Sequence, residues 1–184
     1  MEKAKARREA ARKVAALSAA ERAEKSRRII AGLWATPQFA EARVVMLFAS
    51  MPDEFDTFPL IETAMARGKT VVLPKVLAEG EMAACRVEAA GLTPGAYGIL
   101  EPAADAAIDV SEIDFCLVPA RAFDASGGRL GRGAGYYDRF MCKPGFRAFL
   151  CGAAFEEQII GEVPREPHDV PVQMVVTDVR VIVP

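Results

Sequence analysis

One histidine, His168, is all the sequence holds, which argues against a Ser-His-Asp triad or a His-rich zinc site. The four cysteines, Cys85, Cys116, Cys142 and Cys151, form no C-x-x-C pair. Cys116 and Cys151 lie inside apolar runs, so buried free thiols in a reducing compartment are expected rather than disulfides or a metal cluster. No apolar stretch approaches the roughly 20 residues that cross a bilayer. The basic start carries Glu2 and Glu9 and lacks an apolar core, so no signal peptide is expected, and the expected location is cytoplasmic. Strong net charge is also missing. The balance of −2 gives no global attraction to nucleic acid or to an anionic membrane, so neither is an expected partner and any basic site must be local.

What is present reads as one domain. The 184 residues are 52% apolar and 26% charged, enough for a single core and short of two. Residues 2–17, free of Gly and Pro, predict a helix crowded with Lys3, Lys5, Arg7, Arg8, Arg12 and Lys13. Ser18 with Glu21 predicts a capping box and a second helix to about Trp34, which Thr36-Pro37 ends. Val44–Ala49 predicts a buried strand; Asp56 or Thr57 then caps a helix that stops at Gly68, and Thr70–Leu73 is the next strand. Strand, helix, strand with short loops implies a parallel sheet with a right-handed crossover. Further strands are expected at Met82–Val87, Phe115–Val118, Arg147–Ala153 and, once or twice, within Val172–Val183. A long loop from Pro119 to Gly135 leads to a helix starting at Tyr136. The expected fold is α/β, one domain over residues 1–184, a mostly parallel sheet flanked by helices in a Rossmann-like three-layer arrangement. A monomer is expected.

The stretch Arg129-Leu130-Gly131-Arg132-Gly133-Ala134-Gly135-Tyr136-Tyr137-Asp138-Arg139 carries most of the chemistry. Glycines at alternate positions let a backbone turn tightly with N–H groups facing inward, and Arg129 and Arg132 add full charges, so a phosphate cradle competes with a plain surface loop. No Gly-Lys-Ser/Thr follows, and Tyr136 stands where a dinucleotide fingerprint needs its third glycine. Asp138 is a candidate Mg²⁺ ligand, or a carboxylate serving the helix dipole. Tyr136 and Tyr137 are candidates for stacking on a flat heterocycle, or for packing. Lys3 and Arg7 share a helix face; cations there oppose the macrodipole by about 0.3–1 kcal/mol each, a cost an anionic ligand would offset, with a plain solvated basic face as the alternative. Glu54, after a strand, suits a ligand contact or acid/base role, with capping as the alternative. His168, between Pro167 and Pro171, suits a structural hydrogen bond.

Gly131–Arg139, preceded by Val118-Pro119 and Ala122-Phe123-Asp124, resembles the signature of the 5-formyltetrahydrofolate cyclo-ligase family, also called methenyltetrahydrofolate synthetase. The likeness runs along the chain through Lys3 and Arg7, Ser50–Thr57, Gly68–Pro74, Tyr97–Pro102 and His168–Val172 with Thr177. The resemblance implies that ATP is held by Lys3, Arg7, Arg129, Leu130, Gly131, Arg132, Gly133, Ala134, Gly135, Tyr136 and Tyr137. It implies a reduced-folate site lined by Ala49, Glu54 and the loop Arg132–Tyr136, magnesium on Asp138, and Arg132, Tyr136 and Asp138 as candidate catalytic residues. The family reaction converts 5-formyltetrahydrofolate and ATP to 5,10-methenyltetrahydrofolate, ADP and phosphate. At two positions the chain departs: Gln173 stands where a second metal-binding aspartate is usual, making it a candidate metal contact, and Ala49 where a larger apolar residue is common. A paralogue acting on another N-formyl or folate-like compound, and a non-catalytic folate- or nucleotide-binding protein, are the competing readings.

Overall fold

The computed structural model describes residues 2–78, 80–88 and 91–184. Along the chain come α1 (Lys3–Ala15), α2 (Ala19–Trp34), α3 (Pro37–Glu41), β1 (Val44–Met46), α4 (Phe58–Ala66), β2 (Thr70–Ala78) and β3 (Glu81–Arg86). A hairpin of β4 (Leu92–Pro94) and β5 (Leu100–Pro102) follows, then β6 (Phe115–Val118) and a second hairpin of β7 (Ala122–Phe123) and β8 (Arg129–Leu130). The last elements are α5 (Tyr136–Met141), β9 (Phe149–Ala153), β10 (Met174–Val176) and β11 (Val181–Ile182).

The central sheet has seven strands in the order β11-β10-β9-β6-β1-β2-β3. Neighbours from β10 to β2 are parallel, while β11 and β3 are antiparallel edges. Counted among themselves, the parallel strands run 2-1-3-4-5, so the order reverses between β1 and β6. Chain leaving the carboxyl ends of those two strands diverges to opposite sides and opens a crevice.

Side-chain alternation assigns the two faces. Val45 and Leu47, with Phe115 and Leu117, meet Ile29, Leu33, Phe39, Leu60 and Ile61 from α2, α3 and α4. Met46, Cys116 and Val118 point the other way, to Phe140 and Met141 of α5. Three layers result, as the sequence implied. The Ser18 capping box is present, with Ser18 N–H donating to Glu21 Oε2 at 2.8 Å and Glu21 N–H to Ser18 Oγ at 3.2 Å. Thr57 occupies the cap position of α4, but Asp56 Oδ1 is what accepts from the helix, at Phe58 N–H. Thr57 instead donates to Phe48 O at 2.6 Å and so ties the helix entry to the crevice loop.

Three expectations change. β1 stops at Met46: Leu47 still donates its N–H to Val72 O at 3.0 Å and packs in the core, and Phe48 and Ala49 then line the crevice. β2 runs past Pro74, where β1 has ended and the proline meets only β3, on one side. The supposed loop Pro119–Gly135 contains the β7–β8 hairpin. Its turn is organised by buried Asp124, which accepts from Ser126 N–H and Gly128 N–H at 2.9 and 2.8 Å, and from Val163 N–H at 2.8 Å. Phe123 drives its ring over Gly152 of β9; a Cβ there would meet the ring at 2.4 Å, so this position accepts only glycine. α1 rests on the same hairpin through Ala6 and Ala10, against Ala122, Leu130 and Val163.

Candidate active site

At the reversal point between β1 and β6 lies a cavity of about 710 Å³. Phe48, Ala49, Met51 and Glu54 line it from the loop after β1, and Pro119 and Ala120 from the loop after β6. The stretch Arg129–Asp138 forms one wall, Lys3 and Arg7 of α1 a second, and Glu166, His168 and Asp169 a third. Tyr97, from the turn joining β4 to β5, stands at its mouth and is largely exposed.

Gly135 has φ +71° and opens α5; a side chain there would be strained and would also meet the Arg139 guanidinium at 2.8 Å. α5 has only six residues, so its dipole contributes little. The positive field comes from side chains.

Four Lys and Arg side chains line the cavity, and three of them are neutralised by carboxylates. Arg129, with a side chain only 4% exposed, pairs with Asp138 Oδ1. The same oxygen accepts Val170 N–H at 3.1 Å, while Arg129 Nε donates to Val170 O at 3.1 Å. Lys3 Nζ donates to Asp169 Oδ2 at 2.8 Å and stands 3.4 Å from Glu166 Oε2. Burial pushes the Lys3 pKa down, but the hydrogen bonds and charges of Asp169 and Glu166 outweigh it and hold it above its ordinary value. Arg132 bridges Asp53 Oδ1 at 2.8 Å and Glu54 Oε1 at 2.9 Å, and Arg121 pairs with the other Asp53 oxygen. Arg7 donates from Nε to Gly131 O at 2.8 Å, fixing α1 to the loop.

The two loop tyrosines differ. Tyr136 Oη is 3.2 Å from Tyr97 Oη, and the rings meet edge to face with centroids 6.2 Å apart. Tyr137 Oη is buried and finds no hydrogen-bond partner among the described residues. Burial, with Cys116 and Glu54 nearby, holds its pKa well above the usual tyrosine value, so it remains a protonated donor. A buried orphan donor in a cavity wall is costly unless a ligand accepts from it.

The model of the 5-formyltetrahydrofolate cyclo-ligase family matches residues 1–178. The chain belongs to this family. Among curated members, 5-formyltetrahydrofolate cyclo-ligase from Mycolicibacterium smegmatis is 31% identical over 82% of this chain and 81% of its own length. The Mus musculus protein of the same name is 29% identical over 92% of this chain and 90% of its own. An NMR structure of Aquifex aeolicus 5,10-methenyltetrahydrofolate synthetase superposes with a TM-score of 0.88 at 34% identity, covering 100% of this chain and 93% of that one. Membership in this cyclo-ligase family makes the chain an enzyme, and the shared fold agrees with the sheet described above.

Against that family pattern, Lys3, Arg7, Ala49, Glu54 and every residue from Arg129 to Asp138 line one cavity. Gln173 does not. It precedes β10 at the amino ends of the parallel strands, where its Oε1 accepts Leu150 N–H at 2.9 Å, whereas the cavity opens at their carboxyl ends. A metal contact by Gln173 is therefore excluded by its placement. The second aspartate on the cavity wall is Asp169, four positions earlier. His168, expected in a structural role, also reaches the cavity, 71% exposed and 3.2 Å from Glu166 Oε2. Sequence reasoning missed Asp169 although His168-Asp169 was part of the motif match. It also passed over Asp53 and Arg121, which no local pattern joins to Arg132.

Proposed function

We propose that this chain catalyses the ATP- and magnesium-dependent cyclisation of 5-formyltetrahydrofolate to 5,10-methenyltetrahydrofolate, with release of ADP and phosphate. The observation that carries the reading is the convergence of Lys3, Arg7, Arg129 and Arg132 on a glycine loop at the strand reversal, with Glu54 and the tyrosines on the same cavity. Those cations suit a triphosphate, and the apolar surfaces of Phe48, Ala49 and Ile99 suit a flat heterocycle.

A formyl amide is a weak electrophile whose oxygen leaves poorly. Transfer of the γ-phosphoryl group to that oxygen gives an iminophosphate; N10 then attacks the carbon and loses its proton, and phosphate departs with the formyl oxygen. This chemistry asks for positioning and charge neutralisation rather than a protein nucleophile. Arg132 and Lys3 move from their carboxylates to phosphate oxygens in this reading. Tyr137 donates its orphan hydroxyl to the ligand, and Glu54, released by Arg132, accepts from an N–H edge. Magnesium fits the donor set, since Asp138 and Asp169 offer hard carboxylate oxygens on adjoining walls. When bound, the ion would neutralise charge on the phosphates.

The test is near-ultraviolet detection of the methenyl product from protein, 5-formyltetrahydrofolate, ATP and Mg²⁺, with each omitted in turn. Product that requires all of them supports the proposal. Binding without product, or product from a different formyl compound alone, refutes it.

A further inference from the structure

The segment Tyr97–Pro102 gives Tyr97 and Ile99 to the cavity lining and holds two further unusual features. Among the described residues Tyr97 is the one non-glycine with positive φ, at 58°, a conformation L-residues avoid and keep where surroundings enforce it. Glu101, four residues on, is a carboxylate only 7% exposed, away from the cluster of phosphate-facing charges.

We propose that Glu101 is a positioning residue that holds Tyr97 against Tyr136 at the cavity mouth and so sets the entry of the folate substrate. Its Oε1 accepts from Val76 N–H of β2 at 3.2 Å and from Ala96 N–H at 3.4 Å. The Val76 bond anchors the carboxylate to the sheet. The Ala96 bond seizes the residue just before Tyr97. Gly95 lets the turn close over the carboxylate, because a Cβ there would lie 2.1 Å from Glu101 Cδ. Gly95 N–H donates to Ile99 O at 2.8 Å, which closes the turn on its other side. Lys75 fixes the following residue, donating to Pro102 O at 3.1 Å. Tyr97 is thereby aimed from a rigid base, and its hydroxyl reaches Tyr136 beside the glycine loop. A buried carboxylate serving two backbone N–H groups is an organising device rather than a reacting one. Since Tyr136 opens α5 directly after Gly135, the contact also joins the mouth to the wall that carries the glycine loop.

This inference rests on the folate reading of the cavity, and its test separates the two. Glu101→Ala and Gly95→Ala attack the same contact from opposite sides. Both should raise the KM for 5-formyltetrahydrofolate roughly three- to tenfold, the worth of one misplaced aromatic wall. Both should leave kcat and the ATP KM within about twofold. Glu101→Gln keeps an acceptor oxygen for both N–H groups and should stay within about twofold of wild type throughout. If Glu101 acts through Tyr97, the double variant Glu101→Ala/Tyr97→Ala should be no worse than Tyr97→Ala alone. Losses that add in the double variant, an unchanged folate KM in Glu101→Ala, or a parallel fall in kcat and melting temperature overturn the proposal. Wild-type protein that forms no methenyl product sinks the folate reading instead. Hydrogen exchange then decides the positioning role. Faster exchange of the Ala96 and Val76 amides in Glu101→Ala, with protection kept in Glu101→Gln, supports it; equal exchange in all three proteins overturns it.

Discussion

Replacing Asp138 with asparagine should damage stability as well as turnover, because its partner is a nearly inaccessible cation. The Arg129 side chain is 4% exposed and that of Asp138 19%. Asparagine keeps the volume and removes the charge. Arg129 would retain its bond to Val170 O and lose its counter-ion. Breaking a buried pair by removing one partner costs about 3–5 kcal/mol, and the partial opening of Asp138 to the cavity favours the lower end, about 3 kcal/mol. For a domain of this size that corresponds to a fall of about 6–12 °C in Tm. The assay is thermal unfolding by circular dichroism of wild type, Asp138→Asn, Arg129→Gln and the double variant, without nucleotide. The double variant leaves no orphan charge, so it should melt above Asp138→Asn, and the two single losses should exceed the combined one. Turnover of Asp138→Asn, measured below its melting temperature, should fall at least about a hundredfold, since charge stabilisation at the reacting phosphate would go with it. If Asp138→Asn melts within about 2 °C of wild type, or if the two losses simply add, the pair is not the buried couple described here.

The Lys3→Ala/Arg7→Ala variant should raise the ATP KM by about tenfold or more while the apo Tm moves little, the loss expected for charge-assisted contacts; equal ATP affinity in both proteins would return α1 to a solvated role. Gln173→Asp should leave the Mg²⁺ concentration for half-maximal rate unchanged, because that residue lies at the opposite ends of the strands; a shift in either direction would contradict its placement. Burial pushes the Asp124 carboxyl up, but hydrogen bonds from Val163, Ser126 and Gly128 outweigh it and hold its pKa below the usual range. The folded state therefore binds that proton less readily than the unfolded chain. Stability from Asp124 is full above about pH 4 and is lost as pH falls through the folded value, so urea midpoints taken from pH 6 to pH 3 should drop more steeply for wild type than for Asp124→Asn.

The glycine loop was legible because its signal is local: turning glycines, flanking arginines and an adjacent carboxylate occupy one stretch of chain. The parallel sheet was legible for the same reason, as Val44–Met46 and Phe115–Val118 are short apolar runs that bury both faces. The β7–β8 hairpin was not. Its strands are two residues each, below any periodicity, and a side chain holds its turn. The choice between Gln173 and Asp169 also escaped sequence reasoning, because which end of a strand a residue occupies is set by pairing register. Asp53 and Tyr97 join the site through contacts 79 and 39 positions apart, and no window along the chain spans them.

The bridge from Lys3 to Asp169 joins residues 166 positions apart. Between them α1 is seated on the body through the small apolar side chains Ala6, Ala10 and Val14 and the Arg7 bond to Gly131 O. A ligand that engages Lys3, Arg7 and the opposite wall together would act as a clasp between the first helix and the last quarter of the chain. Such a clasp needs α1 and the segment around Asp169 docked on the same cavity, so occupancy reports that docking. Bound nucleotide should accordingly protect the first helix from proteases in proportion to its saturation, by mass action on the closed form alone.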